Sequence, residues 1–220
     1  GIANVLKSNG QASIEFPHLL RLLIGNQFDT IYHEHFSYFS LRSVDRITSS
    51  VGLRIIDVEE IPTHGGSLRV WLSHKGKFER NSKVEEILNM ESVAGLENIY
   101  AYLDFQKRAE ETKFKLLEYL ITKKKEGKKI LGYGAAAKGC TLLNYAGIKS
   151  DLIPAVADGA KSKQGKFLPG SHIPIITPDQ FNAEKSDTVL VFPWNIISEL
   201  KVKFQSKQII TAIPTLKIWN

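Results

Sequence analysis

Hydrophobic and polar positions follow two periods along this chain. Apolar residues come in short runs or alternate in the first 80 residues, and they recur every three or four positions between about Lys83 and Gly127. The first pattern is typical of strands and the second of helices. The chain is predicted to begin with the end of a helix that stops at Asn9-Gly10, and the other elements of the first 80 residues follow it. These are a strand at Gln11–Phe16, a helix at Leu41–Val51, and two strands joined by a long connection at Leu53–Val58 and Ser67–Ser73.

The rest of the chain predicts a helical connector and then an α/β domain. Gly95 interrupts the helical stretch, so we expect two helices there. After Gly127 the strand and helix patterns alternate, which implies crossover units around a mostly parallel sheet. The predicted strands are 129–132, 153–157, 172–176, 188–192 and 208–213, with helices at 137–146, from 178, and at 197–204. We therefore divide the chain into residues 1–80, 81–128 and 129–220.

Composition favours folded domains. Hydrophobic residues make up 43% and charged residues 24% of the 220 positions, which is ordinary globular usage. No apolar run approaches the roughly 20 residues that cross a bilayer, and no signal-peptide pattern is present, so we expect a cytoplasmic protein with no membrane partner. The single cysteine, Cys140, excludes a disulfide within these residues. Because the chain begins with Gly1 rather than Met, we expect further residues upstream.

The net charge of +6 is concentrated in two lysine-rich stretches, 123–129 and 161–166. The first fits the end of a helix, where cations interact favourably with the dipole. The second lies in a polar loop that is suited to a phosphate. We therefore expect no nucleic-acid partner.

Groups able to exchange protons near neutral pH are concentrated in Tyr32, His33, Glu34 and His35. Histidine titrates near physiological pH, and a neighbouring Glu or Tyr can orient it. Two alternatives remain open. The cluster is either purely structural, or it forms a metal site with His64. On an extended segment, however, His33 and His35 would share a face while Glu34 points away, so we predict no metal.

A glycine-rich turn with Gly132, Gly134 and Gly139 follows a predicted strand and opens a predicted helix. In that context backbone amides bind an anion, and Ala135 and Lys138 would contribute to such a site. Asp158 ends the next strand, where dinucleotide-binding folds place an acid for the ribose. The glycine spacing departs from Gly-x-Gly-x-x-Gly, and a tight structural turn is the alternative.

Three further features are candidate ligand contacts. Lys163 lies in the polar loop after Asp158, and Trp194 and Asn195 follow the strand 188–192 at its carboxyl end. His64, Gly65 and Gly66 lie in a connection whose paired glycines let the backbone approach a ligand. The alternatives are a packed aromatic at Trp194, a helix cap at Asn195, and an ordinary loop at His64–Gly66.

Taken in order, these motifs closely resemble the nucleotide-sugar C-methyltransferase family. The resemblance spans the whole chain and rests on five matching stretches. They are Phe28–Tyr38, Pro62–Val70, Gly132–Gly139, Gly165–Gly170 and Pro193–Asn195. It implies a C-terminal Rossmann-like, mostly parallel sheet, preceded by a helical connector and part of a class I methyltransferase sheet. A zinc module, the glycine loop that holds S-adenosylmethionine, and about four strands would lie upstream.

The resemblance also implies a reaction. A base removes the proton beside a keto group of a deoxysugar carried on a nucleoside diphosphate, most simply thymidine diphosphate, and the enolate carbon takes the methyl group of S-adenosylmethionine. By the same resemblance His35 and Tyr32 are the leading proton-transfer candidates, with Glu34 as partner or second candidate and His33 in support. We expect this cluster and the glycine turn to border one cleft, and the chain to be inactive alone.

Two other classes stay open, a stand-alone Rossmann-type module for NAD or coenzyme A and a non-catalytic interaction protein. We also expect the strand Gln11–Phe16 to present an apolar edge that pairs in a homodimer.

Overall fold

The computed structural model describes residues 1–204 and 207–219, which form two compact units. One unit contains residues 1–25 and 36–106, and the other contains 26–35 and 107–219. These units divide the chain differently from the three predicted segments, because the early stretch 26–35 packs with C-terminal residues. The division into functional domains stays a prediction.

The N-terminal unit is built on a three-stranded antiparallel sheet. Its strands are β1 (Ala12–Pro17), β2 (Leu53–Ile61) and β3 (Ser67–His74), and its helices are α1 (Ile2–Val5), α2 (Leu19–Ile24), α3 (Leu41–Ser50) and α4 (Ser82–Val93). The strand order is β1-β3-β2, so the last strand in sequence lies in the middle. The strands β2 and β3 form the predicted antiparallel pair, and β1 lies at an edge.

Helices α3 and α4 cover this sheet because their apolar stripes match its buried face. Leu41 and Val44 of α3 pack with Ile55 and Val58 of β2 and with Leu88 of α4 in one core. Ile47 belongs to the predicted apolar side of α3 but is 54% exposed. Thr48 is buried in its place and donates a hydrogen bond to the carbonyl of Val44 at 2.8 Å, which satisfies its hydroxyl.

A buried pair of His18 and Glu91 joins three helices of the N-terminal unit. Glu91 of α4 and His18, which precedes α2, are both fully buried, with 2.8 Å between Nε2 of the histidine and Oε1 of the glutamate. Glu91 also accepts hydrogen bonds from the backbone amides of Leu41 at 2.5 Å and Arg42 at 3.0 Å. It therefore caps the first turn of α3, whose amides have no partner within the helix.

The C-terminal unit contains a six-stranded sheet with the order β6-β5-β4-β7-β8-β9. Its strands are β4 (Ile130–Tyr133), β5 (Val156–Ala157), β6 (Ile175–Ile176), β7 (Thr188–Val191), β8 (Gln208–Thr211) and β9 (Lys217–Trp219). The helices between them are α6 (Ala137–Ala146), α7 (Pro178–Ala183) and α8 (Ile197–Lys203), and α5 (Tyr100–Lys125) contributes residues to both units.

All strand pairs in this sheet are parallel except β8 with β9, so the predicted mostly parallel, Rossmann-like α/β fold is confirmed. The chain runs outward from β4 to β6 on one side and then continues with β7 on the other side of β4. The carboxyl end of β4 is therefore the topological switch point, where open α/β sheets bind ligands.

Several elements differ from the predictions. The helix α2 and the strand β9 were not predicted from the sequence. The six residues of α2 are all apolar or long-chain, and β9 has only three residues, so neither shows a clear hydrophobic period. The strands β5 and β6 are two residues long, whereas five residues were predicted for each. The prediction followed the apolar side chains, which extend beyond the residues that pair in the sheet.

Candidate functional site

The segment 26–35 forms compact turns within the C-terminal unit, so the extended backbone on which the faces of residues 33–35 were predicted is wrong. Phe28–Thr30 is a 3-10 helix, and the amide of His35 donates to the carbonyl of Tyr32 at 2.9 Å. The local reason is a hydrogen-bonded turn, since Thr30 Oγ1 donates to the carbonyl of Gln27 at 2.8 Å.

Hydrogen bonds of Asn26 and a ring contact of Phe28 fix the start of this segment to the C-terminal unit. The side-chain amide of Asn26 lies 3.2 Å from the carbonyl oxygen of Arg108, 3.0 Å from Oγ1 of Thr112 and 3.1 Å from the carbonyl oxygen of Pro214. The ring of Phe28 packs against Tyr145 of α6, with 5.3 Å between their centroids. The proton-transfer candidates are therefore carried by a turn anchored in the Rossmann-like unit.

The four candidates occupy different surroundings. The rings of Tyr32 and His35 are stacked, with centroids 4.3 Å apart and planes inclined by 34°, and both are half-buried. His33 and Glu34 are exposed, and His33 Nε2 lies 3.9 Å from a carboxylate oxygen of Glu34. The Tyr32–His35 pair is thus the less exposed part of the cluster.

One hydrogen bond determines the tautomer of His35. Its Nδ1 lies 2.9 Å from the carbonyl oxygen of Thr30. A carbonyl oxygen accepts but does not donate, so Nδ1 carries the hydrogen, and in the neutral ring the lone pair is on Nε2. A histidine held in this way has the nitrogen chemistry of a general base.

The three glycines of the predicted phosphate turn are explained by close packing. A Cβ at Gly132 would meet Val156 Cγ2 at 2.7 Å, and one at Gly139 would meet Phe192 Cγ at 2.8 Å. Gly134 has φ of 92°, and a Cβ there would lie 2.6 Å from Cδ of Pro193. These glycines let β4 and α6 approach the end of β7, and their contact with a substrate stays a prediction.

The side chain of Asp158 stabilises the same turn through hydrogen bonds. One of its carboxylate oxygens accepts from the amide of Ala135 at 2.7 Å, and the other accepts from the amide of Ala160 at 2.8 Å. Lys163 adds to this support, since its ammonium donates to the carbonyl of Ala135 at 2.9 Å and lies 3.5 Å from Asp158. Asp158 therefore shapes the loop, and ribose binding by it is an untested prediction.

A cavity of about 740 Å³ opens beside this turn, entirely within the C-terminal unit. Its volume falls in the range of about 300–1,000 Å³ that is typical of small-molecule sites. Three stretches and one strand residue line it, namely residues 31–34, one side of the stretch Ala135–Asn144 that leads into and along α6, the loop from Ser162 to Pro169, and Ile175. The structure therefore contains the shared cleft that the sequence predicted for the Tyr32 segment and the glycine turn.

Five predicted site residues line the cavity, and the others lie elsewhere. The five are Tyr32, His33, Glu34, Ala135 and Lys163. His35 contacts the ring of Tyr32 but is not in the lining, and Lys138, Trp194 and Asn195 contact one another in a separate cluster. The lining also includes Lys166 and Phe167, which sequence reasoning passed over, although they belong to the polar loop already identified. Lysine at this position adds positive charge, and the 63% exposed ring of Phe167 adds an apolar wall.

The separate cluster contains a buried carboxylate that sequence reasoning missed. Asp29, which is 1% exposed, accepts a hydrogen bond at 2.7 Å from Nε1 of Trp194. The ammonium of Lys138 lies 4.4 Å from the centroid of the Trp194 ring and donates to Asn195 at 3.2 Å. Asp29 Oδ1 is buried and has no hydrogen-bond partner among the described residues. The sequence signal that could have identified Asp29 is an acidic residue between the apolar residues Phe28 and Ile31.

Burial perturbs both charged groups of this cluster. It raises the pKa of Asp29 from its ordinary 3.8 to about 6, while the Trp194 hydrogen bond and the Lys138 charge oppose the change. It also lowers the pKa of Lys138, with the charge of Asp29 acting in the opposite direction. Two opposite charges taken out of water in this way are typical of functional sites.

The remaining predicted residues, His64, Gly65 and Gly66, belong to the N-terminal unit. They follow Pro62 in a 3-10 turn, and all three have positive φ, at 56°, 91° and 119°. A Cβ at Gly66 would lie 2.8 Å from Cγ of Arg21, so this glycine serves packing. Their role in substrate binding stays a prediction.

Among residues 1–204 and 207–219, no three His, Cys, Asp or Glu side chains meet in a possible metal site. Over the same residues, no helix combines the length and apolar character needed to span a bilayer.

Fold and cavity together define a class of protein. The Rossmann-like sheet carries a cavity beside the turn after β4, bordered by Tyr32, His33 and Glu34, by Lys163 and Lys166, and by the N-terminus of α6. That arrangement fits an α/β protein that handles an anionic small molecule.

The comparisons with known proteins give the family. Residues 62–214 match the model of the C-methyltransferase C-terminal domain. The chain is also 38% identical over 201 residues to "C-methyltransferase NovU" of Streptomyces niveus, an alignment that covers 91% of this chain and 48% of that protein. The chain belongs to the C-methyltransferase family, as its motifs predicted, and it spans about half the length of this relative.

Proposed function

We propose that this chain is the sugar-nucleotide-binding and proton-transfer portion of a methyltransferase that acts on carbon. Its substrate would be a keto-deoxysugar carried on a nucleoside diphosphate, with thymidine diphosphate as the first choice. The observation that carries the proposal is the cavity bordered by Tyr32, Glu34, Lys163 and Lys166. One wall suits the reacting sugar, and the other suits its diphosphate.

The anion-binding wall has two sources of positive potential. Helix α6 begins at Ala137, and a helix N-terminus presents backbone amides that favour a negative group. Lys163 and Lys166 lie opposite on the polar loop. A diphosphate fits this environment, and the apolar ring of Phe167 borders the same space as a surface for a base or sugar.

The proton-transfer wall supplies the first step. A base takes the proton from the carbon beside the keto group, the electrons of the broken C–H bond form an enolate, and negative charge develops on the former carbonyl oxygen. The leading groups for this exchange are the phenol of Tyr32, which lines the cavity, and Nε2 of His35, which is not among the lining residues, with Glu34 as second candidate and His33 in support. Positioned acid–base groups contribute about 10²–10⁴-fold to such steps.

S-adenosylmethionine would supply the methyl group, but this cavity does not fit it. Its sulfonium is a cation, and Lys163 and Lys166 bring positive charge to the cavity. We therefore assign the methyl donor to another part of the full-length enzyme, and we expect the chain alone to be unable to transfer a methyl group. The absence of a nucleic-acid partner and the cytoplasmic location stay predictions.

Binding tests the substrate class. Calorimetry with thymidine diphosphate, a thymidine diphosphate sugar, NAD and S-adenosylmethionine should show binding of the first two ligands only. Loss of one charged contact costs about 1.5–3 kcal/mol, so Lys163→Met and Lys166→Met should each weaken thymidine diphosphate binding by about 10- to 100-fold. Lys161→Met is the matched control, because Lys161 is exposed on the same loop outside the cavity lining. Tight NAD binding without sugar-nucleotide binding would instead support the stand-alone Rossmann-type module.

Hydrogen exchange tests the chemistry without a methyl donor. In deuterated water the chain should replace the proton beside the keto group of the sugar nucleotide, which removes its NMR signal. His35→Asn and Tyr32→Phe should slow this exchange by about 100-fold or more while binding is retained. His172→Asn is the control, since His172 is exposed with φ of 57°, a conformation that Asn tolerates. Unchanged exchange in both cluster variants would remove them from the chemistry.

A further inference from the structure

The turn that carries the proton-transfer candidates depends on one buried acid outside the cavity. Asp29 lies in the middle of the 3-10 helix Phe28–Thr30, directly before the residues that line the cavity. Its carboxylate accepts a hydrogen bond from the indole of Trp194 at 2.7 Å, and neither residue lines the cavity. The turn is therefore attached to the segment after β7 by a charge-assisted hydrogen bond, which is stronger than a neutral one.

The placement of this carboxylate is costly for a purely structural contact. Asp29 Oδ1 is buried and lacks a hydrogen-bond partner among the described residues, and an unsatisfied buried polar atom costs about 1–3 kcal/mol. A neutral side chain would hold a turn at lower cost. What the carboxylate adds is a strong acceptor for the Trp194 indole and a countercharge for Lys138, whose ammonium lies over the same ring.

The same turn determines how His35 is held. The acceptor for His35 Nδ1 is the carbonyl of Thr30, which is the residue that follows Asp29. The Trp194 indole, the Asp29 carboxylate, the Thr30 carbonyl and the His35 ring thus form one continuous connection. If the turn shifts, the carbonyl shifts with it, and the hydrogen bond that selects the tautomer of His35 weakens.

We propose that Asp29 is a positioning residue, whose hydrogen bond from Trp194 fixes the turn that presents Tyr32 to the cavity and selects the Nδ1–H tautomer of His35. The proposal rests on the proposed function only for its effect on the reaction. The effect on the tautomer is a property of the ligand-free protein.

The test compares three variants of the chain. Asp29→Ala removes the acceptor, Trp194→Phe removes the indole donor but keeps a ring beneath Lys138, and Asp29→Asn keeps an oxygen that accepts from the indole. Trp219→Phe is the matched control, since its indole donates to Thr211 at 3.0 Å elsewhere in the same unit. The readouts are the His35 tautomer from ¹⁵N NMR of the ligand-free protein, the rate of deuterium exchange, and the affinity for thymidine diphosphate.

We expect Asp29→Ala and Trp194→Phe to lower the Nδ1–H fraction of His35 and to slow exchange by about 10- to 100-fold, with thymidine diphosphate affinity nearly unchanged. Their double variant should lose no more than either alone, because both remove one hydrogen bond. Asp29→Asn should restore both the tautomer and most of the rate. Trp219→Phe should behave as the wild type.

Three results would overturn the proposal. They are an unchanged His35 tautomer in both Asp29→Ala and Trp194→Phe, a loss in Asp29→Asn as large as in Asp29→Ala, and a loss confined to ligand affinity. If Asp29→Ala does not fold by circular dichroism, Trp194→Phe decides. A wild-type chain without exchange activity would refute the proposed function, while the tautomer comparison would still decide the role of Asp29.

Discussion

The Asp29→Asn substitution removes one buried ionisable group and should change how the stability of the C-terminal unit depends on pH. Burial raises the Asp29 pKa from 3.8 to about 6 in the folded protein. A difference of this size corresponds to about 3 kcal/mol, since one pKa unit is about 1.4 kcal/mol. Asn has nearly the same shape, keeps an acceptor for Trp194, and does not titrate.

The sign of the effect follows from where the proton is held more tightly. Between pH 4 and pH 6 the folded state keeps a proton on Asp29 that the unfolded state has released, so the wild type loses stability as the pH rises through this window. Above it, the folded protein holds an ionised and poorly solvated carboxylate. The free energy of unfolding of Asp29→Asn minus that of the wild type should therefore increase by up to about 3 kcal/mol from pH 4 to pH 7.

Urea unfolding at several pH values between 4 and 7, followed by tryptophan fluorescence, measures this difference. Subtracting the two proteins cancels the titration of all shared groups. Asp187→Asn is the control with the opposite sign. Lys128 lowers the Asp187 pKa, so the stability that this acid contributes is lost as the pH falls. A difference between Asp29→Asn and wild type that does not change with pH would refute the argument, as would a carboxyl ¹³C titration of Asp29 with its midpoint near 4.

Three further predictions concern the packing of Gly139, the buried His18–Glu91 pair and the edge strand β1. Gly139→Ala should destabilise the C-terminal unit by about 1–3 kcal/mol in urea unfolding, because its Cβ meets a ring, whereas Gly159→Ala, with open space around it, should be neutral. Glu91→Ala should cost about 3–5 kcal/mol by the same measurement, since it leaves His18 and the first turn of α3 without their buried partner, and the exposed Glu97→Ala should cost under about 1 kcal/mol. We expect a dimer through the edge strand β1 in analytical ultracentrifugation and a monomer for Ile14→Lys; a monomeric wild type would contradict this.

Local sequence patterns predicted most of the architecture because they reflect short-range constraints. The strand Gln11–Phe16 was displaced by one residue from the observed Ala12–Pro17, and the helix Ala137–Ala146 matched. Their signals were apolar runs bounded by Gly, Pro or Asn, which act within a few residues. The extended backbone assumed for residues 33–35 was wrong, because the turn there depends on hydrogen bonds of Asn26, Thr30 and His35 that no periodic pattern encodes.

Residue types in the sequence located two of the stretches that border the cavity, and the roles of their residues stay predictions. Proton-transfer residues at Tyr32–His35 and the lysine loop around Lys163 were recognisable from their unusual composition, and both stretches border the cavity. Sequence reasoning assigned Gly132 and Gly139 to a ligand, which stays a prediction, and the close approach of Val156 and Phe192 shows that both glycines also serve packing. A glycine carries the same letter whether a phosphate or a phenyl ring approaches it.

Residue types and their short-range spacing were enough to predict the α/β fold class, and the resemblance of five motifs along the chain predicted the family. Long-range packing was needed to bring residues 26–35 into the C-terminal unit, to make Asp158 hold a loop, and to bury Asp29 against Trp194. The last pair is separated by 165 positions in the chain. Burial and hydrogen bonding between such distant residues set the charge state of a side chain, and these properties arise only when the chain is folded.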